Sequence, residues 1–200
     1  MKNNKIKIIG KKFYLKTLHT EDVNQRYVDW LNNGEVNKFL EVRHSKSTIE
    51  STKSFVRNFD NRVNYLFGIY DKFSNSHIGN SALYLDINHN TANFGFLIGE
   101  KEYWGKKASL ESCFMLFIFC FDHIKVRKIW GGVYSNNIGS LFNYKQLNFI
   151  EDGRLSNHCL FEGQPVDLIY YSMMIDDWNT AKSKISQKLN FSDTDLEIIL

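Results

Sequence analysis

The segment FLIGEKEYWGKKAS, residues 96–109, contains residue types that could bind an anion. An apolar run ends at Ile98, a short loop ends at Gly105, and Lys106 and Lys107 precede a new apolar run. This order predicts a strand, a loop and the start of a helix. The first amides of a helix lack partners and its dipole is positive there, so such a junction attracts phosphate. A plain glycine turn beside solvated lysines is the alternative.

Two well-known nucleotide motifs are missing from this junction. The spacing G-x-x-x-x-G-K-[ST] is absent, so the segment is not a P-loop. The spacing G-x-G-x-x-G is also absent, which excludes a dinucleotide fingerprint. The sequence therefore predicts a phosphate site of another kind.

Hydrophobic periodicity and turn residues predict the elements that position this junction. Helices are expected over residues 20–33, from a capping box at Ser47 and Glu50 to about residue 60, from 105 to about 123, and over 138–147. Strands are expected over residues 12–18, 65–70, 77–85, 92–98, 128–134, 149–154 and 167–174. Short turns favour antiparallel hairpins, and the long helix after residue 98 favours a crossover. We expect an α/β fold with a mixed, mostly antiparallel central sheet of about seven strands and helices on both faces.

Composition excludes several classes of protein. The chain has 200 residues, of which 43% are hydrophobic and 24% charged, as in a compact globular domain. The longest apolar run, residues 113–121, is about half of the ~20 residues that cross a bilayer. Three cysteines without a C-x-x-C pair support neither a disulfide framework nor a zinc site. A net charge of +3 is too small to indicate nucleic-acid binding. The N-terminal MKNNKIKIIG lacks the pattern of a secretory signal, so we expect a cytoplasmic protein.

Three further motifs occur in a characteristic order along the chain. They are WLNNGEV at residues 30–36, YWGKKASLE at 103–111 and NIGSLFNYKQLNF at 137–149, with HIGN at 77–80 between the first two. Together they resemble the GNAT superfamily of acetyl-CoA-dependent N-acetyltransferases, in its RimJ/RimL-like branch, from about residue 13 to residue 174. The resemblance implies the acyl-CoA N-acyltransferase fold and acetyl-CoA as co-substrate, without a metal.

The resemblance implies a set of residues that bind coenzyme A. Amides of the loop and of the following helix would hold the pyrophosphate, although Glu102 and Lys107 depart from the family pattern at this loop. Backbone groups of the preceding strand would pair with the pantetheine arm as an added strand does, and Asn137 would hydrogen-bond the same arm or cap its helix. The expected coenzyme-binding residues are Leu97, Ile98, Gly99, Trp104, Gly105, Lys106, Lys107, Ala108, Ser109 and Asn137.

Tyr144 matches the position whose phenol, in many members of this family, protonates the departing thiolate. The alternative is an aromatic ring on the buried face of its helix. Asn148 replaces the glycine that follows this helix, and asparagine tolerates the left-handed conformation of such an end. Position identifies no general base, so a water chain, His158 or Glu100 could take the proton of the amine.

The resemblance places Glu41, Arg43 and His158 at the site of the acceptor substrate, where a solvated charge cluster is the alternative. We expect an N-acetyltransferase for a small-molecule amine, with the amino group of a nucleotide-linked amino sugar as the preferred acceptor. The alternatives are a protein N-terminus or another small amine, or a non-catalytic acyl-CoA-binding module. Residues 1–175 would form the acetyltransferase domain and residues 176–200 a C-terminal helical extension that could form a homodimer. No nucleic acid or membrane partner is expected.

Overall fold

The computed structural model describes residues 5–200, in which nine strands form one sheet. Residues 1–4, part of the N-terminal stretch considered above, lie outside the described residues. Across the sheet the order is β7-β8-β6-β5-β4-β3-β2-β1-β9. The strands are β1 Lys7–Ile9, β2 Phe13–Thr17, β3 Asn64–Asp71, β4 His77–Asp86, β5 Thr91–Ile98, β6 Lys128–Tyr134, β7 Ile150–Phe161, β8 Gln164–Met174 and β9 Glu197–Ile199.

Six α-helices and several shorter turns connect the strands of the described chain. The helices are α1 Gln25–Asn32, α2 Gly34–Asn37, α3 Ile49–Arg57, α4 Ala108–Ile118, α5 Ile138–Gln146 and α6 Ile175–Leu189. A π-helical segment, Phe119–Ile124, continues α4, and 3₁₀ turns form at Thr20–Asp22, Glu41–His44, Lys101–Tyr103 and Asp193–Asp195.

The predicted fold class is confirmed, with two strands more than expected. All pairings in the sheet are antiparallel except the one between β5 and β6. The seven expected strands correspond to β2 through β8. The additional strands, β1 and β9, have three residues each and pair with one another. Three residues are too few for an alternating pattern to indicate a strand, so their pairing partner decides their structure.

Helices cover both faces of the sheet, and each face has its own apolar core. On one face α4 is buried almost all round, and it packs with α5 and α6 over the sheet. On the other face α1 and α3 pack through Tyr27, Trp30 and Val56 against Leu18 and Leu66. Within residues 5–200, no helix combines the length and apolarity needed to cross a bilayer.

The start of α3 differs by one residue from the predicted capping box. Thr48 is the N-cap, and its hydroxyl accepts from the Ser51 amide at 3.1 Å. Ser51 in turn accepts from the Thr48 amide at 2.9 Å. Ser47 is instead buried. Its backbone amide donates to the Asn32 side chain at 2.9 Å, and this hydrogen bond ties the start of α3 to the end of α1. The prediction that Ser47 and Glu50 form the box is therefore wrong. Thr48 and Ser51, each one residue later, form it instead.

The parallel contact between β5 and β6 ends after three residue pairs. Thr91, Ala92 and Asn93 pair with residues 128–130, and no further pair forms between the two strands. Beyond this point the strands separate and the sheet opens. The opening lies between the ends of β5 and β6, beside the strand whose backbone groups were expected to pair with the pantetheine arm.

The C-terminal segment packs into the same core as the sheet. Helix α6 buries Trp178 completely, its ring stacks on Phe121 at 5.1 Å between centroids, and its indole N–H donates to Asp122 at 2.7 Å. The segment was expected to be helical, yet its last residues form β9 at the edge of the sheet. The division of the chain into a domain and an extension at residue 175 stays a prediction.

We expect Trp178→Ala to lower the free energy of unfolding by about 3–5 kcal/mol, because it empties a completely buried indole site. Trp178→Phe retains most of the packing and should lose less. Urea unfolding followed by circular dichroism measures both changes. An unchanged unfolding midpoint for Trp178→Ala would show that α6 contributes nothing to the core.

Candidate functional site

Two adjoining cavities fill the opening between β5 and β6. The first, the splay cavity, has a volume of about 840 Å³ and contains Tyr144, Tyr134, Glu41, Arg43 and His158 in its lining. The second, the loop cleft, has about 750 Å³ and runs from β5 past the loop before α4 to the N-terminal end of α5. Volumes of this size are typical of small-molecule sites. Residues that line both cavities, so that they meet, are Phe39, Leu40, Phe96, Asn137, Ser140 and Asn143.

The register of β5 decides which of its backbone groups face the loop cleft. The Gly99 amide donates to the Ile78 carbonyl at 2.8 Å, and Leu97 pairs with Asn80 of β4. Because hydrogen-bonding directions alternate along a strand, Phe96 and Ile98 point their amides and carbonyls away from β4 and into the opening. Of Leu97, Ile98 and Gly99, whose backbone groups were expected to pair with the pantetheine arm, only Ile98 faces the opening, and Phe96 joins it. The pairing with the arm stays a prediction.

Gly99 and Trp104 have packing roles that the sequence did not predict. A side chain at Gly99 would collide with the indole of Trp30, since an added Cβ would lie 2.0 Å from that ring. Trp104 is 44% exposed, and its indole N–H donates to the Ile98 carbonyl at 2.9 Å. Trp104 therefore occupies one of the carbonyls of the open strand edge and forms a wall of the loop cleft.

The loop before α4 places free amides at the cleft. Gly105 and Lys107 have φ angles of +74° and +63°, so the chain turns through two left-handed residues before Ala108 starts the helix. The first intrahelical bond runs from the Glu111 amide to the Lys107 carbonyl at 3.0 Å. In the part of the chain that the structure describes, the amides of residues 108–110 donate to no other group. Together with the helix dipole they form an anion site.

The side chains of the two loop lysines, Lys106 and Lys107, contact other parts of the protein. The Lys107 ammonium group donates to the carbonyl of Lys188 at the end of α6, at 2.8 Å. The Lys106 ammonium group lies 5.8 Å from the centre of the Tyr103 ring. The left-handed backbone at Lys107 supplies the turn that a glycine makes in the family pattern, while its side chain is directed toward α6. In this arrangement neither lysine side chain contacts the free amides at the start of α4, and the assignment of both lysines to coenzyme binding stays a prediction.

The loop cleft gathers seven of the ten expected coenzyme-binding residues. Gly99, Lys106 and Ala108 are not part of its lining. The residues that line it are Leu97, Ile98, Trp104, Gly105, Lys107, Ser109 and Asn137.

Asn137 serves as the N-cap of α5 and still has a free donor. Its Oδ1 accepts from the Ser140 amide at 3.1 Å, which is the capping role expected from the sequence. Its Nδ2 donates to no group within the described residues, and the residue borders both cavities. The side-chain amide is thus available to a ligand at the point where the cavities meet.

Tyr144 lies in the splay cavity with a protonated phenol. Its ring stacks on Tyr171 at 4.8 Å between centroids and packs against Phe94 and Phe149. Its hydroxyl lies over the backbone of Gly131, where an added Cβ would come within 2.3 Å of the oxygen. Burial raises the pKa of Tyr144 above its ordinary value of about 10. The hydroxyl has no hydrogen-bond partner among residues 5–200, so it can donate to a ligand.

A hydrogen-bonded group of charged residues closes the outer side of the splay cavity. The Tyr134 hydroxyl donates to the Glu41 carboxylate, and Arg43 donates to the same hydroxyl at 3.1 Å and to the Leu160 carbonyl at 3.2 Å. Burial, followed by the Glu41 contact, raises the pKa of Tyr134. All three residues expected at the acceptor site, Glu41, Arg43 and the exposed His158, line this cavity.

Glu100 is excluded as the base that the sequence suggested. Its carboxylate accepts from Arg26 at 2.6 Å and from the Trp30 indole at 2.8 Å. The Arg26 hydrogen bond lowers the pKa of Glu100, which keeps the carboxylate paired and charged. Glu100 belongs to the lining of neither cavity.

Phe96, Tyr134 and Gly131 also belong to the site, although the sequence did not predict them. Strand alternation next to Ile98 could have indicated Phe96. The glycine pair at residues 131–132, unusual in the interior of a strand, could have indicated a close approach by another group. No sequence pattern indicates Tyr134, because its role depends on hydrogen bonds to Glu41 and Arg43, which are distant in the sequence.

Comparison with known proteins identifies relatives by family and by fold. Residues 12–149 match the family model described as Acetyltransferase (GNAT) domain. No curated protein matches the chain. Among solved structures, a GCN5-related N-acetyltransferase from Brucella melitensis is 16% identical with a TM-score of 0.74, over 98% of this chain and 95% of that chain.

Two further structures share the fold at similar identity. Spermidine N-acetyltransferase from Vibrio cholerae in complex with CoA and spermine is 17% identical with a TM-score of 0.74, over 84% of this chain and 98% of that chain. A GNAT-family acetyltransferase from Bacillus anthracis is 16% identical with a TM-score of 0.73, over 84% of this chain and 99% of that chain.

Ser109→Asp separates anion binding at α4 from helix stability. A carboxylate in the first turn stabilises a helix by about 0.3–1 kcal/mol but repels a phosphate at the same amides. We expect unfolding to be unaffected or slightly harder, while calorimetry shows a loss of affinity for acetyl-CoA of about tenfold or more. Gln25→Asp, which adds the same charge to the start of α1, is the control. Equal affinities for all three proteins would contradict the anion site.

Proposed function

Because the chain belongs to the GNAT acetyltransferase family, whose members use acetyl-CoA, we propose that its two adjoining cavities hold the two substrates of the transfer. Acetyl-CoA lies in the loop cleft, and the amine enters through the splay cavity. The observation that carries this assignment is the meeting of the cavities at Asn137, next to the protonated phenol of Tyr144. The reacting groups of both substrates are thereby brought together.

The donor side supplies hydrogen bonds that match an acyl thioester of coenzyme A. The free amides at the start of α4 bind the pyrophosphate, and the open edge of β5 pairs with the amide groups of the pantetheine arm. The Asn137 side chain adds a donor to the same arm. Amides of the open edge also polarise the thioester carbonyl, so that charge developing on its oxygen is stabilised.

The chemistry is one direct displacement. The nitrogen of a neutral amine attacks the thioester carbon, the carbon–sulfur bond breaks, and the thiolate takes the phenolic proton of Tyr144. The ammonium formed on the acceptor loses its proton to water or to His158 at the cavity mouth. The protein contributes mainly by holding the substrates together, which converts a bimolecular step into an intramolecular one.

Tyr144→Phe should lower kcat by about a hundredfold, the typical effect of losing a general acid. Because burial raises the pKa of Tyr144, the wild-type acid stays protonated through the neutral range, and the effect should be the same from pH 6 to 9. Affinity for acetyl-CoA should change less than twofold by calorimetry.

Tyr171→Phe is the matched control for this variant. It removes a hydroxyl from the stacked neighbouring ring, which does not line the splay cavity. We expect it to retain wild-type kcat. If Tyr144→Phe lost acetyl-CoA binding and turnover to the same extent, Tyr144 would have a packing role only.

The acceptor side favours an amine that also carries an anionic group. Glu41 is the one acidic residue among the described residues that line the splay cavity, which suits one ammonium group. Arg43, His44 and His158 supply groups for an anion. A polyamine such as spermine, present in the Vibrio cholerae structure, has several cations and would meet only one carboxylate. The amino group of a nucleotide-linked amino sugar, with its phosphates, fits this set of charges better.

Glu41→Gln should raise KM for the amine by up to about fivefold, because the Glu41 side chain is 75% exposed and an exposed ion pair contributes about 0.2–1 kcal/mol. The KM of acetyl-CoA should stay unchanged. Glu50→Gln, at an exposed carboxylate paired with Arg57 on α3, is the control.

A panel of acceptors tests the substrate class. We expect a nucleotide-linked amino sugar to exceed spermidine and a serine-initiated peptide in kcat/KM by at least about tenfold. A preference for spermidine would contradict the proposed acceptor. Full activity of Arg43→Gln on the amino-sugar nucleotide would contradict the role of Arg43.

Three further assignments belong to this proposal. The RimJ/RimL-like branch is supported by the motifs at residues 30–36 and 137–149. A cytoplasmic location is supported by the supply of acetyl-CoA there and by the unpaired state of Cys113, Cys120 and Cys159. A homodimer stays a prediction, since α6 is largely engaged with its own core.

A further inference from the structure

A third cavity lies on the opposite face of the sheet, between the sheet and helices α1 and α3. This α1–α3 hollow has a volume of about 530 Å³. Its floor is the row of residues that β3, β4 and β5 present to that face, namely Leu66, Asn80, Ala82, Gly95 and Leu97. Its roof contains Tyr27 and Leu31 of α1, Thr52 and Phe55 of α3, and, from the segment between these helices, Val42, Ser45, Lys46 and Ser47.

The hollow is deep above Gly95 and Ala82, because these two floor residues have little or no side chain. An added Cβ on Gly95 would meet no atom within 4 Å, although Gly95 lies in the interior of β5. A larger residue there would strengthen the strand without a clash, because glycine weakens strands. Ala82, its cross-strand partner, is nearly as small. The space above these two residues is thus left open at a cost to strand stability, as at sites where a ligand approaches a sheet.

Two buried polar atoms of the hollow have no hydrogen-bond partner among the described residues. Asn80 is 6% exposed and Thr52 is 2% exposed. The Asn80 Nδ2 and the Thr52 Oγ1 make no hydrogen bond to any described residue. His77 Nε2 lies 2.9 Å from Asn80 Oδ1 and 3.0 Å from the Gly79 carbonyl, so it is the donor and fixes Nδ2 as the free end of the amide. Buried groups left unpaired are destabilising, and a ligand with an acceptor oxygen would satisfy them.

The hollow adjoins the reaction site. Leu40 and Phe96 border all three cavities, and Gly95 borders both the splay cavity and the hollow. The remaining lining is mostly apolar. Lys46 is the one charged residue among its described lining residues, and no carboxylate is present to hold a cation. This lining disfavours a cationic occupant, and its mostly apolar surface fits a neutral one.

We propose that the α1–α3 hollow is a specificity pocket for the acceptor substrate, which takes a neutral, mostly apolar part of the amine that carries one carbonyl or hydroxyl oxygen. This oxygen accepts from Asn80 Nδ2 and contacts the Thr52 hydroxyl. The anionic part of the acceptor stays beside Arg43, on the other side of the reacting amine. The inference rests on the proposed division of donor and acceptor sites.

A pair of synthetic amines tests the chemistry of the hollow. 4-(Aminomethyl)benzamide has a reacting amine, an apolar ring and a neutral carbonyl, whereas 1,4-bis(aminomethyl)benzene replaces the amide with a second cation. We expect kcat/KM to be at least tenfold higher for the benzamide. Equal values, or a preference for the diamine, would overturn the proposal.

Variants of residues that line only the hollow test its location. Ala82→Leu fills the space, and Thr52→Val removes one unpaired hydroxyl while keeping the shape. Both should raise KM for the benzamide by at least fivefold and leave KM for acetyl-CoA unchanged. Thr52→Val should also raise the melting temperature of the free protein, so a folding defect cannot explain its effect.

Ser112→Ala is the matched control. It removes another completely buried hydroxyl without a partner, in α4 and outside all three cavities. We expect it to leave the KM for the benzamide unchanged. If Thr52→Val and Ser112→Ala both stabilised the protein and neither changed that KM, the hollow would be a packing defect and the proposal would be wrong.

Two measurements separate this proposal from the proposed function. Binding of benzamide, which has no reacting amine, is followed by calorimetry and should be lost in Ala82→Leu even if no acetyl transfer is found. The same variant is assayed with butyryl-CoA. A change in the KM for butyryl-CoA without a change for the amine would assign the hollow to the acyl chain of the donor and overturn the proposal.

Discussion

The site of this protein depends on the loss of hydrogen bonding between β5 and β6 after Asn93 and Trp130. A strand in the middle of a sheet normally has both edges paired, and unpaired backbone groups in a buried position are costly. Here, among the described residues, the Phe96 amide and carbonyl and the Ile98 amide have no neighbouring strand, and the Ile98 carbonyl accepts only from the Trp104 indole. The opening therefore provides a ready backbone partner for an extended ligand and the room that lets α5 bring Tyr144 beneath it.

The N-terminal ends of α4 and α5 border this opening. The start of α4 presents amides without acceptors, whereas at the start of α5 the Asn137 side chain caps the Ser140 amide and keeps its own amide donor free. The two ends therefore differ in chemistry: the first suits a charged phosphate and the second a neutral amide. The Glu41–Tyr134–Arg43 group links the Glu41–His44 turn to β6 and, through Leu160, to β7, so the outer wall is held by hydrogen bonds between distant segments.

The features that the sequence predicted well are local ones. Asn137 caps α5, and Asn148 ends it at a φ of +63°, as their residue types and positions indicated. The central strands and the fold class followed from periodicity.

The residues whose contacts were not predicted are those that depend on the direction of a side chain or on partners distant in the sequence. Lys107 lies in the expected loop, but its left-handed backbone sends its charge to α6. Glu100 is one residue past Gly99, yet Arg26 and Trp30 hold it outside the cavities. Sequence spacing locates a residue along the chain but not the atom that its side chain reaches.

The hydrogen bond from Lys107 to the Lys188 carbonyl has a thermodynamic consequence for the end of the chain. Lys107 belongs to the loop that precedes the anion site, and Lys188 belongs to the last turn of α6. Since linkage between two equilibria is reciprocal, any ligand that holds the loop in this conformation also stabilises the docked form of α6, and undocking of α6 weakens that ligand by the same factor. Protection of the C-terminal helix against proteolysis and amide exchange thus becomes a report of occupancy at the start of α4.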